Sequence, residues 1–235
     1  GNRFEIDADL SISNDIFVSG LHNSHLVRGY TRVDERFAPL VVFIKKWASG
    51  AGVKDPQHRR FNSYAITLLV IHFLQCAMPN PVLPNLQGIY PGFYAIAHDN
   101  FPDTVDVEQD LPEPLPDLPR LPKNRLLVSH LFYLFLVYYS SIDLRNLVIR
   151  VKCGRICHRL RRDEKGSEED AVAPPDKYKH SQIFIEDPID DHNPGRTVDD
   201  WEAVRGCFED TAYTFQRVDD RYDMYLFPDI DDLLY

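Results

Sequence analysis

The stretch Phe61–Gln87, FNSYAITLLVIHFLQCAMPNPVLPNLQ, constrains the fold more than any other part of the chain. From Tyr64 to Leu74 nearly every residue is apolar whichever helical face is followed. A helix that is apolar all round has to lie inside a domain rather than on its surface. Asn62 and Ser63 stand where N-caps belong, and Pro79, Pro81 and Pro84 forbid continuation. The first turn of such a helix presents unpaired backbone N–H groups and the positive end of its dipole, which suits phosphate. A capped core helix with no ligand is the plain alternative, and this stretch alone does not separate the two.

At 235 residues and 44% hydrophobic, the chain can bury a core in one or two domains. It has no apolar run of membrane-spanning length and no basic leader with a cleavage site, so neither a membrane nor secretion is expected. Cys76, Cys153, Cys157 and Cys207 show no framework spacing and fit a reducing compartment. A formal net charge of -10 argues against a polybasic nucleic-acid coat, so any RNA contact rests on a few local side chains.

Along the chain, RFEIDADLSISN alternates apolar Phe4, Ile6, Ala8, Leu10 and Ile12 with polar residues, the period of a half-buried strand. Asp7 and Asp9 then share a face, as a hard cation such as Mg²⁺ would require and as the wet face of an edge strand would also show. Asn23–Phe37 reads as an amphipathic helix capped by Asn23 or Ser24, and Ala38–Ser49 as a second helix with Pro39 in its first turn. Lys45 adjoins an apolar run; it can serve the helix dipole or reach a triphosphate. LPNLQGIYPGFY reads as a connector, Phe101–Pro122 as an acidic, proline-rich loop, and Asn124–Ser140 as another apolar helix. Leu144–Val151 alternates like a strand, and Lys152–Asp176, charged and poor in aromatics, reads as a loop. Cys153, Cys157 and His158 lack the spacing of a zinc knuckle. Ser181–Asp200 is a short strand over Ile183–Ile185 running into a tight turn that presents His192, Asn193 and Arg196. Val198–Phe215 closes the fold as a helix with Trp201, Val204, Phe208 and Phe215 inward, followed by an acidic tail.

Six blocks in order, EIDADLSISN, LHNSHLVRGY, VDERFAPLVVFIKKWAS, FNSYAITLLVIHFLQ, PVLPNLQ and IEDPIDDHNPGRTV, carry a resemblance to a known family. The chain resembles the non-canonical poly(A) polymerases and terminal uridylyltransferases of the nucleotidyltransferase superfamily. IKKWAS with LPNLQGIYP looks most like the germline cytoplasmic poly(A) polymerase branch. The implied fold is α+β. Residues 1–20 would be the C-terminal part of the catalytic palm, and 21–220 a mostly helical central, PAP-associated domain. Loop insertions are expected at about 102–123 and 152–178, and an acidic tail at 221–235.

The implied chemistry is attack of an RNA 3′-hydroxyl on the α-phosphate of a nucleoside triphosphate, helped by two Mg²⁺ (or Mn²⁺) ions held by three aspartates. By this resemblance Asp9 is the catalytic, metal-binding acid, while Asp7 does not match. Asn23 and Ser24 would contact the nucleotide's sugar and phosphates, Lys45 the triphosphate, and Ser63 the terminal phosphate. Tyr64 would stack on the base, and His192 with Asn193 would read it. Two departures stand out: the family's other two metal aspartates lie in an upstream Gly-Ser and Asp-x-Asp element that is not in these residues, and Ser49 stands where some uridylyltransferases carry a second triphosphate lysine. Histidine before asparagine is the uracil-restricting pair, but the loop from Asp187 is one residue shorter, the length of the poly(A) branch. The expectation is therefore a cytoplasmic enzyme adding AMP from ATP to mRNA 3′ ends. A UTP-using uridylyltransferase or an inactive scaffold is the alternative. With so acidic a core and no RNA-recognition or KH signature, an RNA-binding protein partner is expected to deliver the RNA 3′ end.

Overall fold

The Asn62 side chain accepts a hydrogen bond from the Ala65 N–H at 2.7 Å and so starts the central helix, Ser63–Cys76. The computed structural model describes residues 19–94, 123–160, 171–190 and 192–222. In chain order the helices are α1 (Ser19–Val33), α2 (Phe37–Gly50), α3 (Ser63–Cys76), α4 (Leu86–Ile89), α5 (Pro91–Tyr94), α6 (Val128–Ser141) and α7 (Trp201–Tyr222). The strands are β1 (Leu147–Arg150), β2 (Arg155–Arg159), β3 (Ala171–Val172) and β4 (Phe184–Glu186). The fold is α+β, as expected. The strand expected at Phe4–Ile12 with Asp7 and Asp9, the loop at Phe101–Pro122 and the acidic tail lie outside the described residues.

Every residue of α3 from Ala65 to Gln75 is buried, which is what an all-round apolar helix demands. α2 and α6 pack against it, and α7 lies along α6. Phe208 of α7 meets Phe135 and Tyr139 at ring separations of 5.8 and 5.9 Å. The sheet runs β3-β2-β1-β4, with β1 antiparallel to β2 and parallel to β4. Ile149 and Ile185 turn into the main core, while Val148 and Phe184 form a smaller cluster with Tyr178 on the other face. That split is the period-2 alternation of a strand made physical.

Three readings need correction. The described part of α1 begins at Ser19, so Asn23 and Ser24 are not its caps, and the Ser24 hydroxyl bonds back to the Gly20 carbonyl at 2.8 Å. The helix also stops at Val33 instead of reaching Phe37. There the Asp34 carboxylate accepts from the Arg36 N–H at 2.9 Å and turns the chain into α2. Finally, Lys152–Asp176 contains two strands. Its charge misled because β2 buries Cys157 and half-buries Ile156 while Arg155 and His158 stay wet. The LPNLQGIYPGFY connector also holds the single turns α4 and α5.

Candidate functional site

The site is built on the exposed start of α3. Ser63 is its first residue and is solvent-exposed, next to N–H groups for which no preceding turn supplies a carbonyl. Tyr64 follows, half-buried, with its hydroxyl buried against the Asp187 carboxyl. Burial, and then the Asp187 charge, push the Tyr64 phenol well above its ordinary range. It is a neutral ring at the helix start.

The loop after β4 docks onto this helix start. Asn62 reaches it with its other amide atom, Nδ2 donating to the Pro194 carbonyl at 3.4 Å. The Thr197 hydroxyl donates to the Arg60 carbonyl at 2.8 Å, and Arg59 pairs with Asp199 at 2.9 Å. Inside the loop, Asn193 is fully buried. Its Oδ1 accepts from Ile185 N–H at 3.0 Å and Gly195 N–H at 2.9 Å, and its Nδ2 donates to the Ile183 carbonyl at 2.8 Å. Ile183 and Ile185 present those groups on the outer edge of β4, so one side-chain amide takes the place of a further strand. Gly195 fits closely beside it: a Cβ there would stand 3.1 Å from Ile183 Cγ2 and 3.2 Å from Asn193 Oδ1, so those side chains would have to give way slightly.

His192 behaves differently. Its side chain is 59% exposed and its Nδ1 lies 2.7 Å from Asp190 Oδ1, which also accepts from the His192 backbone N–H at 2.8 Å. Asp187 sits beneath, 5% exposed, accepting from the Ile189 N–H at 2.9 Å. Burial raises its pKa to about 6, with the nearby Asp190 charge adding to the effect and the loop N–H groups opposing it. A crevice of about 210 Å³ opens there, lined by Lys152, Glu186, Asp187, Asp190 and His192.

Lys45 is half-buried in α2, which packs against α3. Desolvation, and then the charge of Lys54, lower its pKa. The structure thus brings Lys45, Ser63, Tyr64 and the 187–196 loop to one end of α3. Asn23 and Ser24 are on α1, and no hydrogen bond joins them to those residues among the described ones; the Asn23 Oδ1 is buried without a partner there. Asp9 lies outside the described residues. Among those described, no group of three or more His, Cys, Asp or Glu side chains is placed to hold a metal ion. Sequence reasoning did not single out Asp187 and Asp190, which line the crevice and act on Tyr64. The Asp-Pro-x-Asp spacing before His192 was the available signal for the acids.

Residues 128–193, from the start of α6 to the loop asparagine, match the family model of Cid1 family poly A polymerases. That stretch is similar to the domain of this family. Around it, the chain is 29% identical over 222 residues to the poly(A) RNA polymerase GLD2 of Mus musculus, covering 93% of this chain and 40% of that protein. Among solved structures, it superposes on Cid1, described for RNA terminal uridylyl transferase activity, with a TM-score of 0.63 and 25% identity over 84% of this chain and 57% of that one. It superposes on the GLD-2/RNP-8 complex with a TM-score of 0.57 and 26% identity, over 91% and 57%. The chain therefore spans less than half the length of the GLD2 relative. The matched stretch supplies the sheet, Asp187, His192 and Asn193, whereas Lys45, Ser63 and Tyr64 precede it. No helix among the described residues is long and apolar enough to cross a membrane.

Proposed function

We propose that this chain is the nucleotide-binding part of an RNA 3′-terminal nucleotidyltransferase that adds AMP from ATP to mRNA 3′ ends in the cytoplasm. The observation that carries the reading is the convergence of an exposed Ser63, a neutral Tyr64 ring and a staple-held base-side loop at one helix start. Likeness to GLD2 over nearly the whole chain supports adenylate transfer. In this reading Lys45 and Ser63 hold the phosphates, Tyr64 stacks on the base, and Asn23, with its unused acceptor, takes a sugar hydroxyl. Ser24 lies beside it on the same helix, toward the phosphates. Asn193 positions the loop; its own amide is spent on backbone. Asp9 would hold Mg²⁺ or Mn²⁺, which supplies charge stabilisation at the attacking and leaving oxygens.

Tethering of the His192 ring to Asp190 supports ATP over UTP, because a ring held there leaves room for adenine on Tyr64. Likeness to the uridylyl-transferring Cid1 favours UTP as the second reading. An RNA-binding partner would deliver the RNA, since a net charge of -10 gives the chain little attraction for phosphate backbone. The test is RNA extension with Mg²⁺ by the full polypeptide under ATP and UTP competition. Asp9→Ala should lose several orders of magnitude of activity, and ATP should be preferred by wild type and by His192→Ala alike. Preference for UTP that relaxes in His192→Ala would overturn the adenylate assignment.

A further inference from the structure

Lys54 is held by backbone between the two elements that carry the phosphate side of the proposed site. Its N–H donates to the Ala48 carbonyl of α2 at 2.9 Å, one turn beyond Lys45. It also forms a parallel β-bridge with Phe61, two residues ahead of Ser63, closed by the Phe61 N–H to the Val53 carbonyl at 3.1 Å. Between the two bridge residues the chain makes a short turn in which Arg59, at φ 57°, adopts the left-handed conformation. Neighbouring acids are engaged elsewhere: Asp55 with His58 at 2.7 Å, and Asp199 with Arg59. Among the described residues neither Lys45 nor Lys54 has an ion pair. Both are half-buried, and their charges act on one another.

Two ammonium groups held near each other, partly desolvated and without a carboxylate, repel. An anion of several charges placed between them relieves that repulsion, and the exposed N–H groups of α3 adjoin the same place. We propose that Lys54 is a second phosphate-contacting cation of the nucleotide site, gripping the β- and γ-phosphates of the triphosphate together with Lys45. This rests on the reading of the site as a nucleotide pocket. Ser49, one turn after Lys45, is exposed with its hydroxyl bonded to the Lys45 carbonyl at 3.1 Å, so it adds no charge there. Lys54 reaches the Lys45 neighbourhood from the bridge instead of from the helix.

The experiment is calorimetric binding of ATP, AMP and a short RNA to the full polypeptide, comparing wild type with Lys54→Met and Lys54→Arg. Methionine keeps the apolar stem and removes the charge, and the bridge that holds residue 54 is backbone. Lys54→Met should weaken ATP about 10- to 100-fold, the range of one lost charge-assisted contact. AMP and RNA affinity and the melting temperature should be unchanged, and Lys54→Arg should restore most of the ATP affinity. In extension assays the loss should fall mainly on KM for ATP. Equal ATP binding by wild type and Lys54→Met would overturn the role of Lys54 alone. A loss of RNA affinity with ATP unaffected would assign Lys54 to the RNA backbone and overturn it too. Failure of the wild type to bind any nucleotide would remove the reading of the site itself.

Discussion

Replacing Asp187 by Asn should make the protein more stable at neutral pH and slower as an enzyme. Asp187 is 5% exposed, and burial lifts its pKa to about 6 from the ordinary 3.8. A folded-state pKa above the unfolded one means that the folded protein prefers the protonated acid. Stability from this group is therefore fully present below about pH 3.8 and is lost as pH rises through about 6. At 1.36 kcal/mol per pH unit, the gap amounts to roughly 3 kcal/mol by pH 8. Asn has the same shape, and its Oδ1 can still accept from the Ile189 N–H, but it carries no charge to desolvate. Urea unfolding of both proteins from pH 4 to pH 8 should show a difference near zero at the acid end, growing to about 3 kcal/mol in favour of Asp187→Asn. A difference that stays flat with pH would refute the reasoning, because only an ionising group produces the slope. The same variant should extend RNA more slowly, since an acid kept at such a cost beside Tyr64 is there for the ligand.

Asn193→Ala leaves the Ile185 N–H and Ile183 carbonyl at the β4 edge, and the Gly195 N–H of the loop, without their partner and should cost about 3 kcal/mol or more, with base discrimination blurred; thermal unfolding and ATP-versus-UTP extension check it. His72 is held neutral by burial, its pKa lowered to about 3, with its ring nitrogen 2.9 Å from a Tyr139 hydroxyl that donates to the Leu69 carbonyl at 2.9 Å. A depressed folded-state pKa removes stability as pH falls below about 6.5, so between pH 7 and pH 5 wild type should lose about 2 kcal/mol more than His72→Leu, measured by urea unfolding at both values.

How much of this was legible follows from where the information is written. α3 was legible because composition, cap and stop signals are all local: the apolar run, Asn62 and the prolines each act within a turn of their position. Lys45, Ser63 and Tyr64 enter the proposed site through resemblance and not through any local pattern. The start of α1 was misread because Asn and Ser are cap residues by propensity, yet here Ser24 uses its hydroxyl to bond back along a helix already under way. β2 was hidden because a half-exposed strand shows its charges, Arg155 and His158, and covers only Cys157 and part of Ile156. Lys54 was invisible for another reason. Its position depends on a bridge to Phe61 and a bond to Ala48, and neither partner is encoded by any local pattern around it. Asn193 was expected to touch a nucleotide because of its neighbour; only the coordinates reveal that its amide stands in for a missing strand.

The two sides of the site share one reference point, and that has a consequence for specificity. Asn62 caps α3 with Oδ1 and ties the base-side loop with Nδ2, so loop and helix start move as a unit. Thr197 and Asp199 add further ties to the residues just before the helix. Lys45 and Lys54 reach the same helix start from α2 and the bridge, through contacts that involve none of those loop residues. In the proposed site, phosphate grip and base choice would thus be positioned independently from a common origin. Changes confined to His192 and Asp190 would then alter which base is accepted without loosening the triphosphate, because the charges proposed to hold it are fixed from the other side. That separation gives a physical reason why one scaffold can serve both ATP-using and UTP-using relatives: the costly part, orienting a polyanion against a buried helix, stays constant while a short surface loop varies.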